Sequence, residues 1–177
     1  MSKTRIATVW LDGCSGCHMS FLDIDHRLLD LAGMIELVYS PLVDFKVFPA
    51  EVDVTLVEGA ISSVEDLEKI QHIRQHTKLL VSLGDCAVTG NVPSLRNPVG
   101  VGPILQRVYL EDTLLYPQAP SQVVPELLPQ VRPVHTAVKV DLYVPGCPPS
   151  ADTIFYVVAE LLAGRMPDLA HRTRFGV

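Results

Sequence analysis

The sequence predicts an α/β fold, with a mostly parallel five-stranded sheet, helices on both faces and one long proline-rich loop. Short apolar runs rich in β-branched residues alternate with segments of helical periodicity along most of the chain. This alternation is typical of parallel sheets, because each helix that joins two strands packs on a face of the sheet. Five strands with short right-handed crossovers indicate a flavodoxin-like strand order.

Five apolar runs are predicted to be the strands, at residues 6–11, 35–39, 52–57, 78–83 and 138–144. Three segments have apolar residues at helical spacing, at 20–31, 64–76 and 151–163. Ser150 precedes the last of these helices, and Gly33 and Gly164 follow the first and the last. The elements therefore alternate as a sheet covered on both faces requires.

Proline interrupts this pattern between residues 93 and 137, where 104–110 alone has the spacing of a short helix. A structureless segment of this length in a compact domain is usually functional or covered by a partner. We expect 93–137 to be an irregular, partner-facing insertion. The tail 165–177 is more basic and is expected to dock on a neighbour. The whole chain, 1–177, is predicted to be one domain.

The composition excludes several classes of protein. A net charge of −6 argues against a general binder of nucleic acid or anionic membranes, which would have basic patches. No apolar run approaches the roughly 18 residues that span a bilayer, and the first residues lack the pattern of a secretory leader. We therefore expect a cytoplasmic protein without membrane or nucleic-acid contacts. In that compartment, cysteines are more often metal ligands or redox thiols than disulfides.

The chain has four cysteines, and each follows a predicted strand and has a glycine within two residues. They are Cys14, Cys17, Cys86 and Cys147. In an open α/β sheet, the loops beyond the carboxyl ends of the strands meet in one crevice. Three loops that are distant in sequence can therefore bring four thiolates together, which indicates one metal centre.

Four thiolates fit either an iron–sulfur cluster or a structural zinc ion. One Cys-x-x-Cys knuckle joined by two distant cysteines favours the iron–sulfur cluster, which is larger than a zinc ion. A zinc-stabilised interaction module is the alternative. A thioredoxin-like dithiol at Cys14 and Cys17, with Cys86 packed in the core, is a further alternative. A flavodoxin-like sheet also binds FMN beyond its strands. Here cysteines occupy the first loop instead of a Ser/Thr-rich phosphate loop, so FMN is not expected in this chain.

Four motifs carry a resemblance to a known family. They are WLDGCSGC at 10–17, VEGA at 57–60, GDCAVTG at 84–90 and VPGCPP at 144–149. In this order they resemble the small subunit of [NiFe]-hydrogenases, over roughly residues 5–165. The wider group includes the cluster-bearing 20 kDa-type subunit of NADH:quinone oxidoreductase, which differs in having adjacent cysteines at the first motif.

The resemblance implies one [4Fe–4S] cluster, proximal to a nickel–iron site in a separate large subunit, with Cys14, Cys17, Cys86 and Cys147 as ligands. Typical membrane-bound small subunits carry a leader and further cluster ligands. This chain instead resembles the short small subunit of cytoplasmic, bidirectional, NAD(P)-linked hydrogenases. Electrons would then pass singly to diaphorase subunits with flavin, the nucleotide site and more iron–sulfur clusters. A cytoplasmic hydrogenase with a non-nicotinamide acceptor is the alternative.

Several other residues are candidates for the same site. Glu58 ends the third predicted strand and is expected to face the crevice, where it orients a ligand loop or takes part in proton movement at the subunit interface. His18 directly follows Cys17; a ligating or hydrogen-bonding role is one interpretation, and a place at the surface beside the partner is favoured. Thr89 is expected to donate to a cluster sulfur. Arg96 and Asn97 are expected, on the resemblance alone, to contact the large subunit.

Overall fold

The computed structural model describes residues 3–112 and 115–173, and its centre is a five-stranded sheet. The strands are β1 (Thr4–Trp10), β2 (Ile35–Tyr39), β3 (Val52–Glu58), β5 (Thr77–Leu83) and β7 (Leu142–Val144). A separate antiparallel pair is formed by β4 (Ile61–Ser63) and β6 (Leu127–Arg132). The main sheet has the order β2-β1-β3-β5-β7 and every pair in it is parallel, which confirms the predicted flavodoxin-like order.

Six α-helices lie in the described residues. They are α1 (Gly16–Leu22), α2 (Leu28–Ala32), α3 (Val64–Gln75), α4 (Gly84–Thr89), α5 (Val101–Gln106) and α6 (Ala151–Leu162). Among the helices of the described ranges, none has the length and apolar character needed to cross a membrane.

The two faces of the sheet are buried by different helices. On one face, Phe21 of α1 and Ile154 of α6 belong to a core that includes Leu56 of β3. On the other face, Ile70 of α3 packs in a second core with Val57 of β3. Leu56 and Val57 are consecutive and point into opposite layers, as the two-residue period of a strand requires. Helices therefore cover both faces, as predicted.

Side-chain caps fix where the two longest helices begin. Ser63 Oγ accepts the N–H of Asp66 at 3.0 Å, and the Asp66 carboxylate accepts the N–H of Ser63 at 3.0 Å, which is a capping box at the start of α3. Ser150 Oγ accepts the N–H of Thr153 at 3.2 Å at the start of α6. These caps satisfy N–H groups that have no partner within the helix. Both helices match their predicted bounds to within one residue.

The single helix predicted over 20–31 is wrong. The chain forms α1 from Gly16, then a 3₁₀ turn at Asp25–Arg27, and then α2. Asp25 has a φ of 56°, which a continuous right-handed helix cannot contain. The apolar spacing was misleading because the short pieces still bury Leu31 in the same core as α1.

The insertion 93–137 is more regular than predicted. The short helix expected at 104–110 is confirmed in part, as α5 and a π-helical turn at Arg107–Glu111, and the strand β6 was not predicted. Pairing with β4 gives β6 the hydrogen-bond partners that its own sequence pattern does not reveal. Contact of this segment with a partner stays a prediction. In the predicted tail, 165–173 contains no helix or strand, and 174–177 lie outside the described residues.

Arg96 and Asn97 hold this second sheet together inside the chain. Arg96 Nη2 donates to the carbonyls of Ser62 and Leu128, both at 3.0 Å. Asn97 exchanges two hydrogen bonds with the backbone of Val131, at 2.8 and 2.9 Å. Their side chains are thus engaged in structural bonds that the sequence did not predict.

The last strand is shorter than the predicted range 138–144 because of Asp141. Asp141 Oδ2 accepts the N–H of Leu80 at 2.9 Å, and the Asp141 N–H donates to Leu80 O at 2.9 Å. A side chain thus replaces a backbone acceptor just before β7 begins. Arg74 of α3 donates to the same carboxylate oxygen at 2.6 Å, which connects this point to the helix layer.

Candidate metal centre

The four cysteines lie beyond the carboxyl ends of three strands. Cys14 and Cys17 follow β1, with Cys17 in the first turn of α1; Cys86 lies in α4 directly after β5; and Cys147 follows β7. Burial raises the pKa of Cys17, and the charges of Glu58 and of the other three cysteines raise it further. The four thiols are therefore close enough to interact electrostatically, as the ligands of one centre must be.

Hydrogen bonds join the three cysteine loops to one another. The N–H of Asp85 donates to Gly146 O at 2.9 Å, and the N–H of Gly146 donates to Asp85 Oδ1 at 2.7 Å. Ser20 Oγ of α1 donates to Pro149 O at 2.5 Å. Asp85 is 4% exposed, so its bond to Gly146 is shielded from water. The loop of Cys147 is thus fixed both to the loop of Cys86 and to the helix that carries Cys17.

Glycine is required at the junction of β5 and α4. Gly84 has a φ of 81°, in the left-handed region that side chains rarely adopt. A Cβ at this position would collide with Cys17 Sγ. The absence of a side chain at Gly84 therefore leaves space beside the Cys17 sulfur for a bound group.

The centre opens to the protein surface on one side. Cys14 and Cys147 are exposed, Cys17 and Cys86 are half-buried, and all four are free thiols. A group held by these sulfurs is anchored against the sheet through Cys17 and Cys86. It is also reachable from the surface through Cys14 and Cys147.

Two N–H groups point at cysteine sulfurs. Asn91 Nδ2 donates to Cys147 Sγ at 3.5 Å. Burial raises the pKa of Cys86, and a hydrogen bond from the backbone N–H of Val92 acts in the opposite direction. Hydrogen bonds to sulfur tune the potential of iron–sulfur clusters. Sequence reasoning missed both donors, which lie just past the GDCAVTG motif.

Thr89 does not have its predicted role as a donor to sulfur. Its Oγ1 donates to the carbonyl of Asp85 at 2.8 Å, one turn earlier in α4. Threonines inside helices commonly make this bond to the preceding turn. The bond uses the only hydroxyl proton of Thr89.

His18 is buried, which corrects its predicted place at the surface, and it binds Glu58. His18 is 6% exposed and Glu58 is 2% exposed. Glu58 Oε2 accepts the backbone N–H of His18 at 2.7 Å and lies 2.6 Å from His18 Nδ1. After burial, the charge of Glu58 is the next cause that raises the pKa of Cys17. The carboxylate therefore lies near the cysteine crevice, where its place at the end of β3 predicts it.

The donor set consists of four cysteines, which are typical ligands of iron–sulfur clusters and of structural zinc ions. Within 3–112 and 115–173, no group of three or more His, Cys, Asp or Glu side chains has the spacing to hold a metal ion. A [4Fe–4S] cluster is bound by four cysteine thiolates through its separate irons. The four cysteines and the space beside Cys17 at Gly84 are compatible with such a cluster.

Fold and site together define the class of this protein: a flavodoxin-like domain with four cysteines at the carboxyl edge of its sheet. The profile of the family described as NADH ubiquinone oxidoreductase, 20 Kd subunit, matches residues 14–161. The chain belongs to this family.

The similar proteins include hydrogenase subunits from bacteria and archaea. The NAD-reducing hydrogenase HoxS subunit delta of Cupriavidus necator is 40% identical over 172 residues, covering 94% of this chain and 82% of that protein. A subunit of the vhu F420-non-reducing hydrogenase of Methanocaldococcus jannaschii is 38% identical over 167 residues. That match covers 93% of this chain but 58% of the longer archaeal protein.

Solved structures agree with this assignment. A crystal structure of an NAD+-reducing [NiFe]-hydrogenase in the H2-reduced state contains a chain that matches with a TM-score of 0.94 and 42% identity, over 98% of this chain and 99% of that one. The [NiFeSe]-hydrogenase of Dm. baculatum matches with a TM-score of 0.60 and 20% identity, over 99% of this chain and 70% of that one, which shows a shared fold. The predicted resemblance to hydrogenase small subunits is confirmed.

Proposed function

We propose that this chain is the electron-transfer small subunit of an NAD(P)-reducing [NiFe]-hydrogenase. Cys14, Cys17, Cys86 and Cys147 hold one [4Fe–4S] cluster in this proposal. The cluster relays electrons between a nickel–iron large subunit, where hydrogen is split, and a cytoplasmic diaphorase module with flavin and further iron–sulfur clusters. The supporting observation is the convergence of four free thiols from three strand ends, in a chain 40% identical to a subunit of an NAD-reducing hydrogenase.

The residues of this chain position and tune the group. When bound, the cluster supplies one-electron chemistry. Cys17 and Cys86 anchor it on the buried side, and Cys147 holds it at the exposed side, where a partner approaches. Asn91 Nδ2 stabilises the anionic Cys147 sulfur by donating to it at 3.5 Å.

Exposed apolar side chains near the centre support a partner surface. Val92, Leu95 and Val99 follow the Cys86 loop directly and are 57–73% exposed. Val92 and its neighbour Asn91 are also the residues whose N–H groups reach the ligand sulfurs. Exposed apolar side chains that stand close together in sequence favour an interaction site when they adjoin a functional centre. We assign the segment 92–99 to the surface that meets the large subunit.

A second acceptor class has specific support. The F420-non-reducing hydrogenase subunit of M. jannaschii is 38% identical, only slightly less than the HoxS delta subunit. The alternative function is therefore the same cluster relay in a hydrogenase whose acceptor is not a nicotinamide. The cluster and the large subunit are common to both proposals, and only the second partner differs.

Cys86→Ser tests the relay in the complex purified anaerobically with its partners. We expect this variant to lose the iron of this chain and the hydrogen-dependent reduction of NAD(P), while the sheet persists. The matched control is Ser82→Ala in β5, because Ser82 Oγ is buried and has no hydrogen-bond partner in the described residues. The control should keep the iron and the activity.

A Cys86→Ser complex with full iron content and full NAD(P) reduction would refute the proposal. Wild-type complex that reduces an artificial dye with hydrogen but does not reduce NAD(P) would instead favour the non-nicotinamide acceptor. Zinc without acid-labile sulfide in this chain would favour the structural module.

A further inference from the structure

We propose that Thr8 is a positioning residue, which together with Ser40 holds the His18 ring and thereby orients the Glu58 carboxylate at the cysteine centre. The inference rests on the proposed function, because it concerns the surroundings of the cluster. It starts from a continuous chain of hydrogen bonds that runs from the Leu42 N–H through Ser40, Thr8 and His18 to Glu58.

Every contact in this series of hydrogen bonds is between 2.6 and 3.1 Å long. The N–H of Leu42 donates to Ser40 Oγ at 3.1 Å, and Thr8 Oγ1 donates to Ser40 Oγ at 2.8 Å. His18 Nε2 lies 3.0 Å from Thr8 Oγ1, and His18 Nδ1 lies 2.6 Å from Glu58 Oε2. The side-chain members are 1–6% exposed, so water does not compete for these bonds. A fully satisfied buried network of this kind fixes a single arrangement of its side chains.

The direction of the bonds fixes the orientation of the imidazole. Thr8 uses its only hydroxyl proton toward Ser40, so its oxygen accepts from His18 Nε2–H. The ring is then bound at both nitrogens, with Nδ1 toward Glu58. A flip of the ring would place C–H groups against both Glu58 and Thr8. Thr8 therefore selects one of the two ring orientations.

Glu58 is held from one side, which leaves its other oxygen directed at the cysteine loop. Oε2 receives both the backbone N–H and the ring of His18. A Cβ built on Gly13 would lie 3.8 Å from Glu58 Oε1, and Gly13 directly precedes Cys14. The position of His18 thus sets where the carboxylate lies relative to the first cysteine loop.

This geometry has a consequence for the cluster. A carboxylate beside an iron–sulfur cluster disfavours the added electron, since cluster potential depends on nearby charge and hydrogen bonds. His18 holds Glu58 Oε2 through its backbone N–H and its ring, which fixes the carboxylate relative to the cysteine loop. Removal of the Thr8 hydroxyl releases the ring, the carboxylate loses this positioning, and its charge acts more strongly on the cluster, so the midpoint potential falls.

The test is a redox titration of this cluster, monitored by electron paramagnetic resonance in the anaerobic complex. We expect Thr8→Val to lower the midpoint potential and Thr8→Ser to keep the wild-type value. Thr55→Val is the matched control, because Thr55 is also fully buried and its hydroxyl lies 2.8 Å from that of Thr77, on the other face of the sheet. The control should leave the potential unchanged.

The outcomes separate this inference from the proposed function. A wild-type complex without the cluster would refute the proposed function. A cluster whose potential is the same in Thr8→Val and in Thr55→Val would refute the positioning role alone. If Thr8→Val does not fold, Thr8→Ala decides in its place, because it also removes the hydroxyl that His18 Nε2 contacts. A lower potential in Thr8→Ala supports the inference, and an unchanged one overturns it.

Discussion

Asp85 links the folding of the cysteine loops to the assembly of the centre. Its Oδ1 accepts the N–H of Gly146 at 2.7 Å, and both residues are buried. Asp85→Ala leaves that N–H without this acceptor, which costs about 1–3 kcal/mol for a buried donor and more when the lost acceptor is charged. We expect the free energy of unfolding to fall by about 2–3 kcal/mol. We also expect iron to be lost, because the loop of Cys147 then keeps only the backbone bond from the Asp85 N–H to Gly146 O as its direct link to the loop of Cys86.

Two measurements on the anaerobic protein check this expectation: denaturant unfolding followed by circular dichroism, and iron per chain. Asp85→Asn keeps a carbonyl oxygen for the Gly146 N–H and should lie between wild type and Asp85→Ala. Lys78→Ala is the control at the opposite end of β5, where an exposed ion pair with Asp53 contributes little. An Asp85→Ala protein with wild-type unfolding and full iron would refute the reasoning.

Three further changes have defined outcomes. Gly84→Ala should remove most of the iron while the sheet persists, because its Cβ would collide with a ligand sulfur, and wild-type iron per chain would contradict this. Asp141→Asn should lower the free energy of unfolding by about 1 kcal/mol at pH 7. Burial opposes ionisation of Asp141, but hydrogen bonds from Leu80 and Arg74 outweigh it and lower the pKa. That stabilisation is therefore present above the unfolded value of about 3.9 and is lost as the pH falls through the folded pKa, so denaturation midpoints should converge in acid. Ser63→Ala removes the α3 cap and should cost about 1 kcal/mol in the same assay, and an unchanged midpoint would contradict the capping role.

Elements whose sequence pattern reflects burial were predictable. β2 was predicted at its observed bounds, and α3 and α6 to within one residue, because apolar periodicity and serine caps act locally. The parallel sheet followed from the alternation of these elements. The location of the cysteines at one edge of the sheet was predictable from their place after the strands, since the loops at the carboxyl ends of parallel strands meet in one crevice.

Long-range pairing was not predictable in this way. β4 has three residues, and its partner β6 contains Pro129 and lies more than 60 residues later. Neither segment has a periodic pattern of its own, and the pairing depends on side chains such as Arg96 that bind both strands. A positive φ at Asp25 likewise breaks a helix that the apolar spacing continues.

The hydrogen-bond network behind the centre was missed, although one feature of the sequence pointed to it. Thr8 is a polar residue in the middle of a predicted buried strand, and a buried hydroxyl requires a partner. Its partner His18 directly follows Cys17, and the surface beside the partner was favoured for it over a ligating or hydrogen-bonding role. The direction of α1, which turns His18 inward to Glu58, depends on the packed tertiary structure.

The central claim is that four thiolates of this chain hold one iron–sulfur cluster. It is tested most directly by measuring iron, acid-labile sulfide and zinc per chain in the anaerobically purified complex, after the share of the partners is subtracted, together with the spectrum of the reduced state. We expect about four irons and four sulfides per chain, with the paramagnetic signal of one reduced [4Fe–4S] cluster. Zinc at one per chain without sulfide would contradict it, and the electron relay would have to be abandoned.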